Sequence, residues 1–151
     1  MGQISVKASA ILAARPEKVY RSIADYQNGH PHIVPPETFS DFHVEQGGYG
    51  DGTVITFKVT VLGTVQSFRQ RISEPEPGRV LTEQDIDSVR NAITTFTVDS
   101  IENGEKSHVE IATTMNASPG LAGMVEYIVV PLLNSRIYRK ELKRLESFAQ
   151  Q

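Results

Sequence analysis

The chain of 151 residues contains no cysteine and no tryptophan. The first absence removes disulfides, thiolate nucleophiles and sulfur-ligated metals together. A basic excess is also missing: 15 Lys and Arg stand against 18 Asp and Glu, for a formal net charge of -3. Neutralising phosphates needs the opposite balance, so nucleic acid is not an expected partner. No window approaches the ~18 uninterrupted apolar residues of a membrane-spanning helix. The apolar stretch from Ala8 to Ala14 is short, lacks a basic lead and runs straight into Arg15 and Pro16. It does not read as a secretory signal, and a cytoplasmic location is the expectation. No GxSxG elbow, phosphate loop or HExxH pattern occurs. Repeats and low-complexity tracts are missing too, and the length suits a single domain over 1–151.

The patterning that remains is informative. Between Gln3 and Leu12, residues Ile4, Val6, Ala8, Ala10 and Leu12 alternate onto one face, as in a half-buried strand. The period then changes. Pro16 suits a first helical turn, Glu17 complements its dipole, and Val19, Tyr20 and Ile23 recur at helical spacing. A stretch with three prolines and two histidines, Gly29 to Pro36, reads as a loop or a broken short helix. From Phe39 to Met115 turn signals at hairpin spacing divide the chain into about six further strands, antiparallel to one another. Ser118 and Pro119 read as the cap and first turn of a last helix. Pro131 removes a backbone donor and crowds the carbonyl of Tyr127, so a kink or break is expected there, with a lid-like piece before it. About 20 residues after Pro131 span roughly 30 Å as a helix. That length lies across one sheet.

Two turns predict which side chains face inward. A two-residue turn at Asn103-Gly104 places Phe96 opposite Ile111, Val98 opposite Val109, Thr94 opposite Thr113 and Ala92 opposite Met115. The reverse face carries Asp99 with His108. A turn at Leu62-Gly63 places Phe57 opposite Phe68, Val59 opposite Gln66 and Ile55 opposite Gln70. The inner face is therefore apolar with threonines and glutamines set in it. A buried amide without a partner costs roughly 1–3 kcal/mol, so Gln66 and Gln70 either lie solvated at the sheet rim or line a pocket. On the last helix Asn134 and Tyr138 share a stripe with Leu142 and Leu145. They either aim polar groups at a ligand or, for Tyr138, pack a ring in the core. Tyr127 could cover a pocket mouth.

Strand, helix, broken helix, antiparallel strands and long helix, in that order, resemble the SRPBCC superfamily. The N-terminal run ARPEKVYRSIADYQNGHPHIVP carries the closest local match, at Pro16, Val19, Tyr20, Asp25, Tyr26 and Pro31; YRKELKRLESF is similar to the family's closing helix. The resemblance implies an α+β helix-grip fold, a curved antiparallel sheet of about seven strands around a C-terminal helix, with two short helices after the first strand. It implies a cavity between sheet and helix, and no particular reaction. Many relatives carry a tryptophan after the first helix; here His32 and Ile33 occupy that region.

The expected ligand is a small hydrophobic or aromatic molecule, with no cofactor and no metal. Its expected contacts are Phe57, Gln66, Phe68, Gln70, Thr94, Phe96, Ile111, Thr113, Met115, Tyr127, Asn134 and Tyr138. One alternative is a polyketide cyclase or dehydratase-like enzyme in the same cavity. It needs an ionisable residue on the inner face, and the two hairpin registers place none there. Another is a protein-interaction module with a filled core. His30 and His32 read as surface loop residues before metal ligands or catalysts. Glu83 and Asp85 share one face of their strand; a solvated edge is the preferred reading, with the inward face unassigned. Monomer and homodimer both remain open.

Overall fold

The computed structural model describes residues 2–151. Seven strands form one antiparallel sheet: β1 (Gln3–Leu12), β2 (Phe39–Gln46), β3 (Val54–Val61), β4 (Thr64–Glu76), β5 (Val80–Asp85), β6 (Ile93–Ile101) and β7 (Lys106–Asn116). Two short helices, α1 (Pro16–Ala24) and α2 (His30–Ile33), follow β1, and α3 (Leu121–Ala149) ends the chain. The strand order is β1-β7-β6-β5-β4-β3-β2. Consecutive strands are neighbours except at one place, where β1 joins β7 and so brings the two ends of the sheet's sequence together. The fold is the α+β helix grip.

Both predicted registers are present. Phe57 faces Phe68 and Ile55 faces Gln70 across β3 and β4; Phe96 faces Ile111 and Thr94 faces Thr113 across β6 and β7. The turn at Leu62 and Gly63 takes positive φ at both residues, 52° and 79°, the geometry that matches strand twist. The second turn differs from expectation. Ile101 and Lys106 close the ladder, leaving a four-residue connection whose Glu102, Asn103 and Gly104 all have positive φ. Its symmetry about Asn103-Gly104 preserves the register. Ala92, expected opposite Met115, precedes β6, and its carbonyl accepts from the Asp85 N–H instead.

α3 runs through Pro131 without a break, so there is no separate lid. Its two halves do different work. After Pro131, Tyr138, Glu141, Leu142, Leu145 and Ala149 are buried against the sheet and α1. Before it, Leu121, Met124, Val125 and Ile128 are exposed. With little packed against that half, the carbonyl deprived of a donor by Pro131 can be solvated, which removes most of the reason for a break. Ser118 and Pro119 are not the cap and first turn. Gly120 stands at the cap position with φ 72°, a conformation favourable to glycine. The Ser118 N–H and hydroxyl both donate to Glu126, which also accepts a bidentate pair from Arg90 at 3.0 and 2.7 Å. These donors hold the Glu126 carboxyl down at about 2 and tie the β5–β6 loop to the start of α3.

If the second half of α3 provides the grip, Leu145→Ala should lower unfolding stability by about 2–5 kcal/mol. Ile128→Ala, on the exposed half, should change it by less than about 0.5 kcal/mol. Urea titration of both variants checks this; equal losses would refute the division.

Candidate functional site

A cavity of about 160 Å³ lies between the sheet and the second half of α3. Its apolar wall comes mainly from β2, β3 and β4. Phe42, Phe57 and Phe68 stack in series there, with ring centroids 5.9 and 5.6 Å apart. The opposite wall is polar, and its position follows from strand geometry. Side chains alternate across a strand. Leu81 faces Phe96, and Glu83 faces Thr94. Since Phe96 points inward, Leu81, Glu83 and Asp85 point inward with it. β5 is the central strand of the sheet, so the solvated-edge reading of these two carboxyls is overturned. Both are less than a tenth exposed.

His30 is the second surprise. It is 2% exposed, not a surface loop residue. Asp25 shapes its approach: the carboxyl accepts from the N–H groups of Gln27 and Asn28, and the Asp25 carbonyl accepts from Gly29 and His30. Gly29 is required there, because a Cβ would lie 2.6 Å from the Ser22 carbonyl oxygen. The turn tucks the His30 ring against Tyr26, at 4.5 Å between centroids, and edge-on to Phe96. His30 Nδ1 lies 2.7 Å from the Ile23 carbonyl. A carbonyl only accepts, so Nδ1 carries a proton and Nε2 is turned inward. Nε2 lies 3.4 Å from Glu83 and 3.7 Å from Glu141. His32 points elsewhere, exposed and stacked on Phe148, so the two histidines do not share a side.

The carboxyls differ in their partners. Glu83 accepts from the Tyr26 hydroxyl at 2.7 Å. Burial, and then the charge of Glu83, raise the Tyr26 phenol well above its ordinary value, so it stays a donor. Asp85 accepts from Gln70 Nε2 at 3.1 Å and from the Ala92 N–H at 3.3 Å. Its pKa is raised by burial against the opposing pull of these hydrogen bonds. Glu141, on α3, is 4% exposed and accepts no hydrogen bond among the described residues. Burial, then the charge of Glu83, push its carboxyl well above the usual range, favouring the protonated form. Further along, Thr94 and Thr113 hydroxyls lie 2.8 Å apart, and Thr113 is also hydrogen-bonded to the Tyr138 hydroxyl. Burial raises Tyr138 to about 12.

Nine of the expected contacts line the cavity: Phe57, Phe68, Gln70, Thr94, Phe96, Thr113, Met115, Asn134 and Tyr138. Three do not. Gln66 is exposed, because the part of β4 before Gln70 runs past the end of β5 and loses its neighbour. Ile111 is fully buried in the core opposite Phe96 and Ala8. Tyr127 is 46% exposed, with its hydroxyl against Gly2. Of the cavity's ionisable groups, the sequence leaves the inward face of Glu83 and Asp85 unassigned, places His30 on the surface, and does not single out Glu141. For Glu141 a signal existed: it lies three residues from Tyr138 and seven from Asn134, which puts it on their stripe.

A family model described as "Polyketide cyclase / dehydrase and lipid transport" matches residues 3–150. No curated protein sequence matches the chain. Among solved structures, KanY (ms6282) is similar at 28% identity and TM-score 0.83, with both chains covered completely. The Zhui aromatase/cyclase from Streptomyces sp. R1128 is similar in fold, at 16% identity and TM-score 0.80, covering 99% of this chain and 94% of that one. TTHA0849 from Thermus thermophilus gives 18% identity and TM-score 0.78 over 97% of each chain.

The Glu141 environment has a measurable consequence. An acid whose pKa is higher folded than unfolded binds more protons in the folded state as pH rises past its unfolded value. Its contribution to stability is complete below about 4.5, the ordinary glutamate value, and is lost progressively above it. Urea unfolding should therefore find Glu141→Gln gaining on the wild type between pH 5 and pH 8. A stability difference independent of pH would show that Glu141 is not held protonated by the fold.

Proposed function

Because the chain belongs to the polyketide cyclase/dehydrase and lipid transport family, within the SRPBCC superfamily, we propose that it binds a small, largely apolar molecule between the sheet and α3. The observation that carries this reading is the cavity itself, with a phenylalanine wall facing a polar one. An apolar cavity of about 150 Å³ accommodates benzene. At about 160 Å³, this one suits a single ring bearing polar substituents. The apolar body packs on Phe42, Phe57 and Phe68; Gln70, Thr113, Asn134 and Tyr138 orient the polar groups. An interaction module with a filled core fits less well, because the interior is not filled.

Native mass spectrometry of the protein isolated from its own host tests the reading, with a co-purifying small molecule as the expected result. Gln70→Leu and Tyr138→Phe should each weaken binding of that molecule, by roughly 1–3 kcal/mol where a ligand group is left without its partner. Unchanged binding in both variants would remove the polar wall from the proposal.

A second reading, acid–base catalysis of the cyclase or dehydratase type, is favoured by one observation. His30 Nε2 stands within 4 Å of two carboxyls on a wall that also faces the cavity. A protonated Glu141 can give a proton to a leaving hydroxyl while a neighbouring base removes the proton beside a carbonyl, the pairing that loss of water requires. A one-ring β-hydroxyketone offered to the protein should then lose water faster than in buffer, followed by enone absorbance, and Glu141→Gln should remove the acceleration. Identical rates with and without the wild-type protein would eliminate this reading and leave the binding one standing.

A further inference from the structure

The charge of the cavity is one-sided. Glu83, Asp85 and Glu141 line it, and among the described residues no lysine or arginine does. Two of the three are occupied: Tyr26 donates to Glu83, and Gln70 and the Ala92 N–H donate to Asp85. Glu141 has no donor, although it is 4% exposed and lines the cavity. A carboxyl whose oxygens face a cavity without a protein donor is open to a proton, a water or a ligand's donor. His30 Nε2, at 3.7 Å, is beyond a good hydrogen bond and is nearer to Glu83. Burying Glu141 is a cost already met in folding. A ligand cation would add only its own desolvation, and it would meet two carboxyls already in place.

Resting on the binding reading above, we propose that the ligand class is a primary amine with an aromatic body, its ammonium seated at Glu141 and Glu83 and its ring on the phenylalanine wall. The geometry suits both ends. Three N–H donors can reach two carboxyls that flank one ring nitrogen, and Phe42, Phe57 and Phe68 form a stack long enough to cover a ring. A carboxylate ligand of the same size would add a negative charge where no lysine or arginine lines the cavity to meet it. The groups facing Glu141 are Glu83 from β5, His30 from α2, Tyr26 from the turn before α2, and Tyr138 from its own helix. None is a lysine or arginine that would compete for the carboxylate. Seating an ammonium displaces the proton that burial favours on Glu141, so binding releases a proton to solvent. Affinity for the amine then rises with pH while the amine remains protonated.

Isothermal titration of the full chain with three near-isosteric probes tests this: 2-phenylethylamine, 2-phenylethanol and 3-phenylpropionate. The expected order is amine tightest and propionate weakest, with at least about a tenfold gap between amine and alcohol, as a desolvated charge pair can supply. Titrations in two buffers of different ionisation enthalpy should register proton release for the amine and none for the alcohol. Glu141→Gln should close the gap between amine and alcohol. The ranking in the wild type carries the test even where that variant fails to fold. Amine and alcohol binding equally, or propionate binding tightest, would overturn the amine proposal and leave the binding reading intact. No binding of any probe to folded protein would overturn both.

Discussion

The alternation of side chains along a pleated strand governs the chemistry of this molecule. β5 is short and central, bonded to β4 and β6 on either side. Once Leu81 packs inward opposite Phe96, Glu83 and Asp85 have no other direction to take. Burying them would be costly if they were left alone. The surrounding elements supply what the strand's geometry demands: Tyr26 for Glu83, Gln70 and the Ala92 backbone for Asp85. The α1–α2 turn, which places Tyr26 and His30, is thus coupled to a strand more than fifty residues away by a hydrogen bond of 2.7 Å.

Local signals in the sequence were strong where a turn declared its own centre. Leu62-Gly63 and Asn103-Gly104 made two registers readable residue by residue, and with them the inward set from Phe57 to Met115. β5 was ambiguous for the opposite reason. The seven residues between Asp85 and Ile93 have no unique turn centre, so nothing local relates Glu83 to Thr94. The needed step was indirect: Phe96 was already inward, and antiparallel pairing with the next strand carries its parity across. His30 was hidden differently. Its burial depends on the Asp25-organised turn and on the close contact of Gly29 with α1, neither of which leaves a periodic trace. A histidine among prolines resembles a loop residue until its neighbours in space are known. Pro131 misled through a rule that holds best in packed helices; on the exposed half of α3 the helix continues through it.

Membership of the family accounts for the architecture, and likeness to an aromatase/cyclase at 16% identity extends no further than the fold. What distinguishes this cavity is the contrast between its two walls. One is a ladder of phenylalanines from the outer strands of the sheet. The other draws polar side chains from α2, the central strand and α3. Changes to the first alter shape and volume. Changes to the second alter which protons and charges the interior can hold.

Because the ionisable side of the cavity is drawn from residues 30, 83, 85 and 141, no short fragment of the chain contains it. Closure of the sheet pairs Gln3 with Asn116, and the cover arrives only with α3. A nascent chain emerging in order would present the inner face, with its glutamates and phenylalanines, before anything could close over it. The site is therefore among the last parts of the molecule to exist during synthesis. Until then Asp85 and Glu141 remain hydrated, and burial raises their carboxyls only in the event that completes folding.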